Sequence, residues 1–200
     1  MITKPILLVL LSSSISICDA AECNDYAQQL ATMRTADQTL RMQLIDSPTV
    51  PRRLGNALET VDRANTARLK SLLQKCGWPI ASRYGKEAGA DAWLLIQHAD
   101  RDREFQRAAL PLLESAVRAG EARGGDLAYL SDRLSVAEGK PQLYGTQFKG
   151  IEDCKLVLAP IDSREAVNGR RHAIPGMPTL EAYEEMANEH MRPPECRGSK

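Results

Sequence analysis

The sequence predicts a mainly α protein: a compact multi-helix domain with one short β-hairpin near residues 143–158. Three observations carry this. Apolar residues recur at three- and four-residue spacing through most of the chain. Capping residues open those runs and Pro or Gly closes them. β-prone residues collect in one window around Gly150. Two hundred residues, 43% hydrophobic and 26% charged, fit one globular domain and argue against wholesale disorder.

From Asn24 to Asp46, Tyr26, Leu30, Met33, Leu40 and Leu44 fall at helical spacing, and Ser47-Pro48 stops the run. Thr49 to Gly55 reads as a surface loop. Asn56 and Glu59 have the spacing of a capping box, opening a helix that carries Leu58, Val61, Leu69, Leu72 and Cys76 and ends at Gly77. Asn65 lies on that apolar stripe, where a core hydrogen bond explains it best. Lys86 to Ala99 contains Ala92-Trp93-Leu94-Leu95-Ile96, apolar on every side, so this helix is expected at the centre.

Asp100 or Asp102 can cap the next helix, Arg103 to Gly120, in which Pro111 is expected to kink the chain or begin a new turn. Asp126 to Glu138 turns Leu127, Leu130 and Leu134 inward. Leu143–Lys149 and Lys155–Leu158 then pair around Gly150. Ser163–His172 and Thr179–Met191 read as short helices separated by Pro175-Gly176-Met177-Pro178. Arg192 to Lys200 is a polar C-terminal tail, which leaves residues 21–191 as one helical domain.

Residues 1–20 read as a signal peptide. Lys4 precedes the apolar Pro5–Ile17, and the small Cys18 and Ala20 suit cleavage after Ala20. The apolar run falls short of the roughly 20 residues a membrane-crossing helix needs. Cys18 as a lipid-attachment site is disfavoured by the bulky Ile17 before it. The expected product is periplasmic or secreted, with no transmembrane span after cleavage.

The mature chain keeps Cys23, Cys76, Cys154 and Cys196, an even number suited to an oxidising compartment. Four cysteines allow three pairings. The one preferred is Cys23–Cys76, tying the start of one helix to the end of its neighbour, with Cys154–Cys196 pinning the tail. Each loop of roughly 40–55 residues is worth on the order of 4 kcal/mol in the chain-entropy account. No Cys-x-x-Cys occurs, so zinc and thiol redox chemistry lack support.

Charge narrows the function classes further. Lys plus Arg number 26 and Asp plus Glu 26, so no excess of cations invites nucleic acid. Two Trp, five Tyr and two Phe are too few and scattered for a base-stacking platform. Two polar clusters remain as candidate ligand-binding segments. In WLLIQHADRDREFQ (Trp93–Gln106), Gln97, His98, Asp100 and Gln106 follow a buried helix; in KPQLYGTQF (Lys140–Phe148), Gln142, Tyr144 and Gln147 offer neutral hydrogen-bonding groups.

His98 and Asp100 resemble a base and its orienter, but residues two apart on a helix do not face each other, and no nucleophile motif accompanies them. His172 and His190 read as surface residues, no metal site is expected, and no cofactor is implied. Asp132-Arg133 is either a solvated pair or, if the hairpin covers that face, a buried anchor.

At these residues the chain resembles a bacterial family, domain of unknown function 6624. The resemblance rests on Gly77-Trp78-Pro79, WLLIQHADRDREFQ, LPLLESAVRAGE (Leu110–Glu121) and AEGKPQLYGTQF (Ala137–Phe148), with weaker agreement to Tyr183. It implies a mostly helical domain, and it implies that Gln97, His98, Asp100, Gln106, Gln142, Tyr144, Gly145 and Gln147 belong to a shared pattern. It transfers no activity. The leader and the four mature cysteines depart from simpler members and imply an exported version. The function expected is a non-enzymatic binding protein for a polar small ligand or a protein partner, of immunity or inhibitor type in one version. The alternative is a hydrolase or transferase using His98 as general base, with Tyr144 converging on it.

Overall fold

Tyr26, Leu30, Met33 and Asp37 fall on one face of the first helix, α1 (Tyr26–Ile45), and all four are buried. The spacing 0, 4, 7, 11 is what a helix needs to aim side chains at a core. The second helix, α2 (Arg52–Cys76), buries Leu69, Leu72 and Leu73. Contacts between the two run in opposite order along the chain: Cys23 bonds Cys76, Arg68 Nε donates to Gln29 Oε1 (3.0 Å), Asn65 Nδ2 donates to the Met33 carbonyl (3.2 Å), and Arg41 meets Asp62 (2.8 Å). The helices are therefore antiparallel. The computed structural model describes residues 23–45, 51–191 and Cys196. The expected signal peptide, the Ser47-Pro48 stop and all of the tail but Cys196 lie outside the described residues.

A short turn of helix, α3 (Ala81–Tyr84), leads into α4 (Lys86–His98), which packs against α1, α2, α5 and α6 and is central, as its all-round apolarity requires. α5 (Arg103–Arg118) and α6 (Gly124–Ala137) form an antiparallel pair beside it. Leu72, Leu95, Ile96, Leu113 and Leu130 meet in one core. Each such side chain contributes about 1.5–3 kcal/mol by leaving water. Strands β1 (Phe148–Glu152) and β2 (Lys155–Leu158) pair antiparallel, Ile151 opposite Leu156. Two further helices, α7 (Arg164–His172) and α8 (Leu180–His190), are capped by Ser163 and Thr179, whose hydroxyls accept from Ala166 N and Ala182 N. Among the described residues no helix is long and apolar enough to cross a membrane.

Several boundaries differ from expectation for local reasons. α2 begins at Arg52 behind Pro51, whose fixed φ of −64° suits a helix entrance, so Asn56 lies inside the helix and forms no capping box. Asp102, not Asp100, caps α5, accepting from Phe105 N at 3.0 Å. Pro111 leaves α5 unbroken because it sits on the exposed face, where the loss of one backbone donor is tolerated. The hairpin turns at Asp153 and Cys154, both with positive φ, and Gly150 lies within β1 beside an irregularity in register. The preceding residues 143–147 are a loop rather than a strand, because they are fastened to α6 instead of to a partner strand. The cysteines pair Cys23–Cys76 and Cys154–Cys196, with Cα separations of 5.6 and 5.3 Å.

Candidate functional site

The last turn of α4 carries His98 to the edge of the core, opposite Asp37 on α1. His98 Nδ1 lies 2.9 Å from both carboxylate oxygens of Asp37, which is fully buried. Gln38 Nε2 (2.7 Å) and Arg41 Nε (3.0 Å) also donate to that carboxylate, and Arg41 Nη2 continues to Asp62 Oδ1 (2.8 Å). A buried carboxylate needs partners of this kind, since an unpaired one costs several kcal/mol. Burial pushes the Asp37 carboxyl up, but the His98 and Gln38 hydrogen bonds and the nearby charges outweigh it and hold the group below the ordinary aspartate value. Asp62, one step further along, is raised by burial in spite of Arg41.

With a carboxylate accepting at Nδ1, the neutral imidazole keeps its proton there and presents the Nε2 lone pair elsewhere. No described residue hydrogen-bonds Nε2, and the side chain is 21% exposed. His98 lines a cleft of about 490 Å³ with Arg41, Asp62, Arg63, Lys70, Asp100 and Arg101. Most of the charges on its rim are paired: Lys70 with Asp102 (2.5 Å), and Arg63 and Arg101 with Glu59 (3.2 and 2.9 Å). Asp100 takes both arms of Arg133 (2.7–2.9 Å); burial pushes its carboxyl up, but Arg133, with Arg103 and Gln106, outweighs it and holds the group below the usual value. The cleft thus offers one ring nitrogen in a setting of near-neutral charge.

A family model described as a family of unknown function, DUF6624, matches residues 24–191. The chain belongs to the DUF6624 family. No curated protein and no solved structure matches it.

In this DUF6624 chain the two sequence clusters do different work. Of the first, His98 and Asp100 reach the cleft. Gln106 does not: it is fully buried, donates to the Ile96 carbonyl (2.8 Å) and accepts from Arg103 (2.7 Å), which ties the start of α5 to the end of α4. Gln97 is also buried, and its side-chain nitrogen lacks an acceptor among the described residues. The second cluster is a loop that grips itself. Gln142 donates to the carbonyls of Gln147 and Ala159 (3.0 and 2.9 Å) and accepts from Gln147 N (2.8 Å). Gln147 Nε2 donates to Thr146 Oγ1 (3.0 Å).

Asp132 of α6 is the buried anchor of that loop. It accepts from the backbone N–H groups of Leu143, Tyr144 and Thr146 (2.7–3.2 Å) and from the Thr146 hydroxyl (3.0 Å). The next residue, Arg133, holds Asp100, so adjacent positions on one helix fasten the two clusters to a common support. Tyr144 does not join His98 in the cleft, and its backbone is held by Asp132 and Arg171.

Sequence reasoning missed Asp37, Arg41 and Asp62. Asp37 left a trace: it stands four residues after Met33, where the apolar stripe of α1 calls for another buried side chain.

Proposed function

We propose that this chain is an exported binding protein and that the His98 cleft is its ligand site. The observation carrying the reading is the pinned imidazole: Asp37 fixes its orientation and leaves Nε2 as an unpartnered acceptor in a concave site. A small polar molecule presenting a hydroxyl or amide N–H fits, because the paired rim charges give a strongly charged ligand little to recognise. The leader-like residues 1–20 and two disulfides support export.

One observation favours a second reading. A buried carboxylate behind Nδ1 is also how a general base is oriented, so His98 would activate water in a hydrolase or assist a transferase. The hydroxyl among the residues lining the cleft, that of Thr66, donates to the Asp62 carbonyl (2.7 Å), which argues against a covalent intermediate on it.

The test is a thermal-shift screen of neutral polar metabolites against the wild type and His98→Gln. Hits that stabilise the wild type, fade in the variant and are recovered chemically unchanged support binding. Hits converted to products, with conversion abolished by His98→Gln, support the second reading. Hits that stabilise both proteins equally overturn both readings of this cleft.

A further inference from the structure

On the other side of α4 lies a larger cleft, about 720 Å³, walled by Trp93, Tyr129, Tyr183, Ile174 and Met186. Its floor holds a cation. Arg171 of α7 is only 1% exposed. Its Nε donates to the Pro178 carbonyl (2.6 Å), its Nη1 to the Tyr144 carbonyl (2.5 Å), and its guanidinium carbon sits 4.9 Å from the centre of the Tyr183 ring. Among the described residues no carboxylate forms an ion pair with it; Asp132 and Glu181 act on it only from beyond ion-pair distance, and burial still lowers its basicity. Carbonyls satisfy hydrogen bonds without neutralising the charge, and a buried charge with no direct ion-pair partner is costly. The other cation of the cleft, Arg123, is already engaged by Asp126 (2.7 and 3.1 Å). Arg171 is therefore where an incoming anion gains most.

We propose that this cleft binds an organic carboxylate with an aromatic or aliphatic body, the carboxylate meeting Arg171 and the body lying against Trp93, Tyr129 and Tyr183. Charge complementarity sets the anionic end, and the aromatic walls set the apolar end. The volume falls within the range of small-molecule sites. The site is separate from the His98 cleft and stands whether or not that reading holds.

The probes are phenylbutyrate and its uncharged counterpart phenylbutanol, titrated calorimetrically into the full mature chain. The Trp93 indole N–H, which donates to the Asp126 carbonyl (3.0 Å), serves as an NMR reporter inside the cleft. Phenylbutyrate is expected to bind at least about tenfold more tightly than the alcohol, as a hydrogen bond to a charged group requires, and to shift the Trp93 resonance. Arg171→Met removes the cation but also the support of two carbonyls, so Gly125→Leu is the second variant. Gly125 lines the cleft and has open space where a side chain would begin, so the substitution fills the site without disturbing Arg171. It is expected to weaken phenylbutyrate about tenfold or more at unchanged melting temperature, while His98→Gln leaves binding intact. Equal affinity for the two probes, no binding of either, shifts that spare Trp93, or full affinity in Gly125→Leu overturns the proposal.

Discussion

Asp37 and Asp132 are both fully buried on helices, yet they are put to opposite uses. Asp132 faces three backbone N–H groups and one hydroxyl from a single loop, and nothing beyond it is left open. Asp37 faces side chains only: His98, Gln38 and Arg41. Backbone donors make a carboxylate a fastener, because they fix the course of the chain. Side-chain donors make it an orienter, because each has a further end free to act. The electrostatics diverge accordingly. Burial raises the Asp132 carboxyl even against its donors, whereas charge and hydrogen bonding hold Asp37 low.

The largest effect is expected on the fastener side. Asp132→Ala strands three backbone N–H groups and the Thr146 hydroxyl in the interior, at a cost of about 4 kcal/mol or more. Urea unfolding measures the loss, and hydrogen exchange of the Leu143, Tyr144 and Thr146 amides should accelerate with it. Gly145→Ala attacks the same loop through its backbone. Gly145 has φ of +67°, and an added Cβ would come 2.6 Å from Leu180 Cδ1, so about 2–3 kcal/mol is expected from strain and overlap together. A stable Gly145→Ala protein with native exchange in residues 143–147 would break the picture of a closed clamp.

On the orienter side the effects are smaller and depend on pH. Asp37→Asn should cost about 2 kcal/mol near neutrality. The folded carboxyl titrates below its unfolded value of about 3.9, so ionised Asp37 favours the fold. Its contribution is complete above that value and is lost as pH falls through the lower native pKa. Unfolding free energies measured from about pH 6 down to 3 should fall less steeply in Asp37→Asn than in the wild type. The least effect is expected from His98→Gln, within about 1 kcal/mol of wild type, since the ring is partly exposed and a glutamine amide can still donate to Asp37. A large loss there would move His98 into the structural class with Asp132.

Much of this arrangement was legible in the sequence. Periodicity located the helices, the pairing preferred among the three possible is the one the structure shows, and Asn65 makes the core hydrogen bond its stripe position implied. Polar residues adjacent in sequence do not share one task in the fold. Gln106 and Gln142 look like ligand contacts as letters, but their partners are main-chain carbonyls ten to seventeen residues away. Asp37 was invisible for the converse reason. The histidine it orients is 61 residues distant, and only the packing of α1 alongside α4, where Arg34 meets Asp91 and Asp37 meets His98, brings them together. Arg171 shows its burial only in three dimensions, since its neighbours Arg170 and His172 are far more exposed.

The Cys23–Cys76 bond sits at one end of the α1–α2 pair, and the Asp37–Arg41–Asp62 grip sits toward the other. The pair is thus a closed ring: the sulfur bridge joins it at one end, and at the charged end Ile45 and Arg52 are only seven positions apart along the chain. Reduction of that sulfur bridge is therefore expected to loosen the Cys23 end of α1 first, while the Asp37–Arg41–Asp62 end stays tethered by the chain's own continuity.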